Sequence, residues 1–344
     1  MQAVVLDKPG SIRVAEVDDP APDHGELVVE VGACGICGTD LHIADGEFPP
    51  TPYPIIPGHE FSGTVVALGP GVPGKGSGPR VAIGDRVAVD PSLFCGRCPP
   101  CRAGRGNLCQ YWNAIGDTVN GAFAQYVAVP AANAYRIPDH LSYQQGALIE
   151  PLSCAVHGLR RLGPVVGEAV LVVGAGTMGL LLQQLLARAG AASVTVVDRK
   201  ASRLDTASQL GATAVATDLS ELAGERYGVA VDATGSPTAI EAAFAALARG
   251  GRLMVFGVSP QEASVRLSPF RIYNDEITIV GSMAVLHSFG EAVSLMASGA
   301  VSTDPILGPP LPLDRWPEAL ERVRRGEGTK IQVVPAGSTG GPGH

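Results

Sequence analysis

Residues 170–199 read VLVVGAGTMGLLLQQLLARAGAASVTVVDR, and this stretch decides the fold class of the central part of the chain. Residues 170–173 predict a short buried strand, residues 180–189 a helix, and residues 193–197 a second strand ending at Asp198. Gly174, Gly176 and Gly179 lie between the first strand and the helix with the spacing G-x-G-x-x-G. This order, followed by an acidic residue about 20 positions on, is typical of a dinucleotide-binding βαβ unit.

The same stretch predicts how a cofactor would bind. The glycines allow a tight turn and close approach of the backbone to a pyrophosphate, which the helix N-terminus then attracts. Asp198 is expected to hydrogen-bond the adenosine ribose and to repel a 2′-phosphate, which favours NAD. Arg199 could instead serve a phosphate, so NADP stays open. Residues 232–236 (DATGS) and 255–258 (VFGV) have the pattern of later strand ends on the nicotinamide side, or of ordinary turns.

A cysteine-rich segment, FCGRCPPCRAGRGNLC at 94–109, predicts a metal site. Its spacing, C-x2-C-x2-C-x7-C, can place four thiolates around one tetrahedral zinc. Because the protein fills every coordination position, such a site is structural. Free thiols, disulfides and a nucleic-acid-binding zinc ribbon are the alternatives, and the ribbon would need more basic residues than the segment offers. The predicted ligands are Cys95, Cys98, Cys101 and Cys109.

A second, mixed set of metal-binding residues is spread over three segments. GACGICGTDLHI at 32–43 contains Cys37, IPGHEFSGTV at 56–65 contains His59 and Glu60, and ALIEPLSCAVHGL at 147–159 contains Glu150. One thiolate, one imidazole and one or two carboxylates can hold zinc and leave a position for substrate, which is the catalytic pattern. Asp40, in the first segment, either anchors the local turn or orients a ligand.

On these motifs the chain resembles the zinc-dependent medium-chain alcohol dehydrogenases over nearly its whole length. The shared motifs are CGICGTDLH, GHEFSGTVV, GDRVAV, the four-cysteine segment, EPLSCAVHG and the glycine fingerprint. The resemblance implies that Cys37 and His59 bind the catalytic zinc, that Glu60 is a ligand or an adjacent carboxylate, and that Glu150 occupies the third-ligand position. It implies a proton relay through Thr39 and His42. The catalytic residues are therefore expected to be Thr39, His42, Glu60 and Glu150.

The resemblance also implies a fold and a cofactor site. The expected architecture is a GroES-like, β-rich catalytic domain at 1–154, a doubly wound parallel-sheet Rossmann domain at 155–289, and a return to the catalytic domain at 290–344. Residues 277–283 (ITIVGSM) are expected to pair with a sister subunit in a homotetramer or homodimer. The expected contacts with the cofactor are Gly174, Gly176, Met178, Gly179, Asp198, Arg199, Arg203, Thr234, Gly257, Val258, Ser282 and Met283.

Length, composition and charge indicate a globular protein and argue against a nucleic-acid-binding or membrane protein. The 344 residues suit two domains, and a composition of 46% hydrophobic and 17% charged residues is that of a globular protein. The net charge of −8 argues against a nucleic-acid partner. The N-terminus has no basic region followed by an apolar run, and the longest apolar stretch is too short for a membrane span. We therefore expect a cytoplasmic protein with no membrane partner, and the resemblance implies that it is an enzyme with a small alcohol as substrate.

The identity of the alcohol is less well determined. Glu150 resembles the polyol and sorbitol dehydrogenase branch and the threonine dehydrogenase branch of the family. Unlike sorbitol dehydrogenases, the chain has Ile43 after the relay histidine and no Arg-Tyr pair in 281–289 (GSMAVLHSF). We expect a secondary alcohol, with a sugar alcohol as the leading candidate, to be oxidised to the ketone. A pentitol, another sugar alcohol and a simpler secondary alcohol all stay open. A threonine-type amino-alcohol dehydrogenase and a non-catalytic zinc- and NAD-binding protein are the alternatives.

Overall fold

The computed structural model describes residues 1–48, 51–72 and 81–335. The chain forms two compact units. The first unit comprises Met1–Ser153, Val285–Ala300 and the segment from Leu307 onward, and the second comprises Cys154–Ala284 and Val301–Ile306. None of the helices in the described residues combines the length and apolar character needed to cross a membrane.

The observed units differ from the expected boundaries by one residue at the first boundary, which lies between Ser153 and Cys154, and more clearly at two other places. The chain rejoins the first unit at Val285 instead of residue 290. The buried Phe289 fixes this segment, because its ring packs 4.9 Å from the ring of Tyr135. Residues 301–306 belong to the second unit, where the Ser302 N–H donates to Gln184 Oε1 at 2.8 Å and Gln184 Nε2 donates back to the Ser302 carbonyl.

The first 162 residues contain short strands and few helices. The strands are β1 (Gln2–Lys8), β2 (Ser11–Glu16), β3 (Glu26–Gly35), β4 (Glu60–Leu68), β5 (Arg86–Val89), β6 (Ser92–Leu93), β7 (Asn113–Ala114), β8 (Tyr126–Pro130) and β9 (Ala134–Arg136). The helices are α1 (Gly38–Asp45), α2 (Pro99–Arg102), α3 (Tyr143–Ala147) and α4 (Ile149–Leu162).

Strands and helices alternate in the second unit. In chain order they are β10 (Ala169–Val173), α5 (Thr177–Arg188), β11 (Ser193–Val197), α6 (Ala201–Gln209), β12 (Ala214–Ala216), β13 (Tyr227–Asp232), α7 (Pro237–Ala245), β14 (Leu247–Val255), α8 (Pro269–Asn274) and β15 (Thr278–Gly281). The last elements lie in the first unit and are α9 (Phe289–Ala297), β16 (Leu311–Pro312), α10 (Trp316–Arg324) and β17 (Gln332–Val334).

The second unit has the predicted doubly wound sheet. Its six parallel strands lie in the order β12-β11-β10-β13-β14-β15, so the order reverses between β10 and β13. Open α/β sheets bind ligands at such a switch point, outside the carboxyl ends of the strands. The glycine turn after β10 and the DATGS segment after β13 both lie at these carboxyl ends, which confirms the fold expected for the sequence around Gly174.

The first unit is built around β3. This strand pairs antiparallel with β4, β8 and β17 in a seven-stranded sheet whose other members are β5, β9 and β16. Most of β3 is buried, and the core below it includes the Phe123 and Trp316 rings, 5.3 Å apart. Cys37 follows directly after β3, and β4 begins at Glu60, so the sheet brings two distant motifs to one place.

Candidate metal centres and cofactor site

Three of the expected catalytic-zinc residues lie together. The potential ligand atoms of Cys37, His59 and Glu60 are all within 4.8 Å of one another. His59 and Glu60 are buried, and Cys37 is half-buried. A sulfur, a nitrogen and an oxygen donor at this spacing fit a zinc ion, which takes such ligands at about 2.0–2.3 Å. The residues present are therefore suited to hold the metal that the motifs predict.

The backbone around this cluster explains its geometry. Gly35 pairs with Glu60 across β3 and β4, and a side chain at Gly35 would collide with the Glu60 carboxylate and lie 2.7 Å from Lys330 Cε. Gly58 has a φ of 103°, and a Cβ there would lie 2.8 Å from the Phe123 nitrogen. Glycine is therefore required on both sides of the cluster, because His59 and Glu60 are presented by chain segments that leave no room for a side chain.

Two carboxylates surround the His59 ring. Its Nδ1 atom lies 3.0 Å from Asp117 Oδ1 and 3.9 Å from Asp40 Oδ1. Asp40 is also fixed by the Cys37 N–H, which donates to its Oδ2 at 2.8 Å. A carboxylate at one ring nitrogen orients a metal-binding histidine and directs its other nitrogen to the metal. Sequence reasoning considered Asp40 for this position and missed Asp117, which is nearer.

Burial changes the acidity of these groups. Burial raises the pKa of Asp40 to about 7, although the nearby His59 opposes the shift. For His59, burial lowers the pKa, but Asp117 and the hydrogen bond with Cys37 outweigh it and hold the pKa well above its usual value. The cluster thus brings several ionisable side chains together in a largely buried place.

Lys330 is a second residue that the sequence reasoning missed. Its ammonium group pairs with the Glu60 carboxylate and donates to the Ile36 carbonyl at 2.9 Å. Both side chains of this ion pair are almost completely buried. Burial alone would lower the pKa of Lys330, but Glu60 and Cys37 raise it above its usual value, so the lysine is charged. Glu60 therefore has a fixed cationic partner as well as a place beside Cys37 and His59.

Glu150 lies outside the three-residue cluster. It is buried in the first turn of α4. Among the described residues, the set of ligand atoms within 4.8 Å of one another contains Cys37, His59 and Glu60 but not the Glu150 carboxylate.

The expected relay residues both lie on α1. Thr39 Oγ1 is 3.8 Å from Cys37 Sγ, and His42 follows three positions later, on the same helical face. His42 Nδ1 lies 2.8 Å from Glu47 Oε2. Both Thr39 and His42 are half-buried, so both side chains are partly accessible to solvent.

The four-cysteine segment forms one compact group. The sulfur atoms of Cys95, Cys98, Cys101 and Cys109 all lie within 4.8 Å of one another. Backbone N–H groups point at these sulfurs, for example from Cys98 to Cys95 at 3.4 Å and from Tyr111 to Cys109 at 3.2 Å. The N–H groups of Arg97 and Cys98 lower the pKa of Cys95 to about 6. This arrangement of four thiols is suited to a tetrahedral zinc.

The glycine turn in the second unit is shaped for a phosphate. Gly174 has a φ of 103°, and a Cβ at Gly179 would collide with the Gly174 carbonyl. A Cβ at Gly176 would meet nothing within 4 Å, so the turn leaves open space there. Gly176 is the N-cap of α5, and no side chain caps this helix. Its first N–H groups are therefore directed at the open space, as in anion-binding helix N-termini.

Asp198 connects the two arms of the βαβ unit. Its Oδ2 accepts a hydrogen bond from the Ala175 N–H at 2.8 Å, and its Oδ1 accepts one from the Lys200 N–H at 2.9 Å. Arg203 Nη1 lies 3.7 Å from the same carboxylate, and Arg199 is exposed beside it. The carboxylate keeps lone pairs that could accept ribose hydroxyl groups.

The remaining expected cofactor residues, apart from Met178 in α5, follow β13, β14 and β15. The Thr234 N–H and hydroxyl both donate to the buried Asp232 carboxylate, at 3.0 and 2.5 Å. A Cβ at Gly257 would collide with the Gly235 nitrogen, so the two turns lie against each other. Val258 and Met283 are 75% and 40% exposed, whereas Met178 and Ser282 are half-buried. These apolar exposed side chains are consistent with a surface that a planar ring could cover.

Comparison with known proteins gives the family. Residues 23–139 match the model of the alcohol dehydrogenase GroES-like domain, and residues 177–298 match that of the zinc-binding dehydrogenase. D-arabinitol dehydrogenase 1 of Uromyces fabae is 37% identical, and sorbitol dehydrogenase of Bacillus subtilis strain 168 is 32% identical, each over 97% of both chains.

A solved structure agrees with these relatives. A zinc-binding dehydrogenase of provisional assignment from Sinorhizobium meliloti 1021, solved with NADP bound, has a TM-score of 0.92. It is 36% identical, and the match covers 97% of this chain and 99% of the other. Fold, ligand clusters and relatives lead to one conclusion: the chain belongs to the zinc-binding dehydrogenases of the alcohol dehydrogenase family.

Proposed function

We propose that the protein oxidises a secondary hydroxyl group of a sugar alcohol to a ketone and transfers the hydride to NAD. Its family consists of zinc-dependent alcohol oxidoreductases that use a nicotinamide cofactor. The observation that carries the proposal is the buried donor set of Cys37, His59 and Glu60, whose mixed chemistry is that of a catalytic zinc.

Each cluster has a proposed role. Cys37, His59 and Glu60 hold the catalytic zinc, and Glu150 is a further carboxylate on the substrate side. Asp117 orients His59, and Lys330 balances the charge of Glu60. The lobe of Cys95, Cys98, Cys101 and Cys109 holds a second, structural zinc, so that we expect two zinc ions per chain.

In the proposed reaction, zinc and the nicotinamide act on the alcohol, and side chains of the protein carry the proton away. Zinc, when bound, supplies a Lewis acid that makes a hydroxyl group more acidic, and the nicotinamide supplies a hydride acceptor. The Thr39 hydroxyl accepts the alcohol proton and passes it on, because a hydroxyl is both donor and acceptor. His42, which is half-buried, releases the proton to water.

The substrate class is proposed from two observations. The relatives that match over the full length include enzymes named for D-arabinitol and sorbitol. Glu150 adds a buried carboxylate to the first unit, which can accept a hydrogen bond from a hydroxyl group next to the reacting one.

A substrate panel tests this proposal. NADH formation is followed with pentitols, hexitols, tetritols, simple secondary alcohols and L-threonine, with the zinc content determined on the same sample. Turnover with a polyol well above that with the other compounds supports it. Preference for L-threonine, or silence on every alcohol with both zinc sites filled, contradicts it.

NAD is proposed as the cofactor because Asp198 places a carboxylate at the end of β11, where a 2′-phosphate would be repelled. We expect the wild type to prefer NAD. Asp198→Ala should lower kcat/KM for NAD about 10- to 100-fold, since charge-assisted hydrogen bonds to the ribose are lost. The same change should lower the ratio of NAD to NADP activity.

Arg199→Ala is the matched control for this prediction. Its side chain is exposed beside Asp198, and its loss should leave kcat/KM for NAD within about twofold. Steady-state kinetics with both cofactors measure these values. A wild-type preference for NADP would show that Arg199 dominates Asp198.

A homo-oligomer, either a tetramer or a dimer, is also proposed. The strand β15 lies at an edge of the six-stranded sheet. Large apolar side chains are exposed on β15 and on the adjacent α8, with Phe270 at 69%, Tyr273 at 81% and Ile279 at 42%. An exposed edge strand beside apolar surface favours pairing with a second copy.

Ile279→Lys tests the oligomer. A charge on the edge strand should oppose pairing and reduce the mass measured by light scattering to about half or less of the wild-type mass. Ile83→Lys, which changes an isoleucine 64% exposed in the first unit, should keep the wild-type mass. A wild-type monomer would refute the proposal.

The cytoplasm is the proposed location. None of the seven cysteines, all of which lie in described residues, forms a disulfide, and five of them belong to the two ligand clusters. Thiols used as metal ligands suit a reducing compartment.

A further inference from the structure

The carboxylate of Glu47 lies against the ring of His42. Its Oε2 atom is 2.8 Å from His42 Nδ1. We propose that Glu47 is a positioning residue: it holds neutral His42 in the tautomer with the proton on Nδ1, which leaves Nε2 free to accept a proton. This inference rests on the proposed function, because the relay role of His42 belongs to it.

The backbone fixes Glu47 beside the ring. Gly46, the C-cap of α1, has a φ of 78°, and the Glu47 N–H donates to the His42 carbonyl at 2.7 Å. A Cβ at Gly46 would lie 2.6 Å from Pro9 Cγ, so the turn packs tightly on the β1–β2 hairpin. The left-handed conformation of Gly46 turns the chain back, so that the Glu47 backbone lies beside His42. The backbone of Glu47 is therefore held by this cap as well as by the contact between the two side chains.

Neighbouring contacts hold the same turn. The Gly10 N–H donates to the Ala44 carbonyl at 2.8 Å, and the Tyr53 hydroxyl donates to the Ile43 carbonyl at 2.5 Å. The last carbonyls of α1 are therefore bound to partners from elsewhere in the first unit. This explains how a carboxylate that is 63% exposed can still have a defined place on the ring.

The other carboxylate in this turn, that of Asp45, is hydrogen-bonded to a different partner. Both oxygens of Asp45 accept hydrogen bonds from Arg324, at 2.7 and 2.8 Å. Arg324 also contacts Glu321 at 3.2 Å. Asp45 contributes charge near His42, but its hydrogen bonds go to the guanidinium, which leaves Glu47 as the acceptor on the ring.

The chemistry of the pair determines the tautomer. An ionised carboxylate only accepts hydrogen bonds, so the nitrogen that faces it must carry the hydrogen. Nε2 then has the free lone pair. A proton that arrives from the Thr39 side forms the Nε2–H bond and gives an imidazolium, whose charge Glu47 balances. The Nε2 proton then leaves the ring for water, and the neutral tautomer with its proton on Nδ1 returns.

The test reads the tautomer directly. The full-length, zinc-loaded protein is labelled with ¹⁵N histidine and its ring nitrogens are recorded at about pH 9, above the ordinary pKa of imidazole. His42→Asn assigns the signals. We expect the Nδ1–H form in the wild type, the Nε2–H form in Glu47→Met, which keeps the side-chain length but has no oxygen, and the Nδ1–H form in Glu47→Gln, which keeps an acceptor.

Kinetics supply the second readout. Because only the correct tautomer accepts the proton, Glu47→Met should lower kcat about fivefold with KM nearly unchanged, and Glu47→Gln should recover most of the loss. Asp45→Asn is the control, since it removes a nearby charge without touching the ring nitrogen.

The outcomes separate this inference from the proposed function. An Nε2–H tautomer in the wild type, an unchanged tautomer in Glu47→Met, or an unchanged kcat with a changed tautomer would each overturn it. If the wild type oxidises no alcohol, the proposed function fails, while the tautomer comparison still decides whether Glu47 holds the ring.

Discussion

Replacing Cys37 by serine should remove one zinc ion and the activity together, while the zinc of the four-cysteine lobe stays. Cys37 is the one sulfur donor beside His59 and Glu60 in the described cluster, and a serine hydroxyl is a poor substitute for a thiolate. Loss of the metal removes several kcal/mol of stabilisation from the transition state, so we expect kcat/KM to fall by about 10³-fold or more. Metal analysis and NADH formation on the same sample measure both effects.

Cys154→Ser is the matched control. This cysteine is half-buried in α4 and belongs to neither ligand cluster, so the variant should keep both zinc ions and most of the activity. Thermal unfolding of both variants shows whether the fold is intact. Full activity of Cys37→Ser with the wild-type zinc content would exclude Cys37 as a ligand.

Lys330→Met should destabilise the protein strongly. The change leaves the Glu60 carboxylate buried without its cationic partner, and breaking a buried ion pair in this way costs about 3–5 kcal/mol. The Ile36 carbonyl also loses its hydrogen bond from Nζ. Urea unfolding, followed by the fluorescence of Trp112 and Trp316, which both lie in the first unit, measures the free energy of unfolding.

A double variant separates charge from packing. Glu60→Gln removes the buried negative charge, so Lys330→Met with Glu60→Gln should be more stable than Lys330→Met alone. Arg324→Met, which breaks the exposed ion pair with Asp45, should cost far less and serves as the comparison. A wild-type stability for Lys330→Met would mean that Glu60 does not depend on the lysine.

Most of the fold elements could be predicted from short patterns of neighbouring residues. The glycine spacing at 174–179 and the apolar runs around it led to β10, α5 and β11, all of which the structure contains. The strand limits agree to within one residue, whereas α5 begins at Thr177, three residues before the predicted start. The spacing of Cys95, Cys98, Cys101 and Cys109 likewise led to a compact group of four sulfurs. In both cases the residues that determine the structure are close together in the chain.

Contacts between segments that are far apart in the chain could not be predicted from the sequence. Lys330 reaches the cluster because β17 pairs with β3, and its partner Ile36 is 294 positions away. A single lysine just before an apolar strand would be predicted to lie exposed at the end of that strand. Asp117 has the same difficulty, since a GDT turn after the cysteine segment gives no sign that it contacts His59. The pair of hydrogen bonds between Ser302 and Gln184, which holds 301–306 in the second unit, also joins residues that are far apart in the chain.

The measurement that tests the central claim most directly is a zinc titration of activity. The weakly held metal is removed with a chelator, zinc is returned in known amounts, and NADH formation from a pentitol is followed at each step. If Cys37, His59 and Glu60 hold the zinc that acts on the alcohol, activity is absent with only the lobe filled and rises in proportion to the second zinc ion per chain. Full activity with the lobe alone filled would contradict the account.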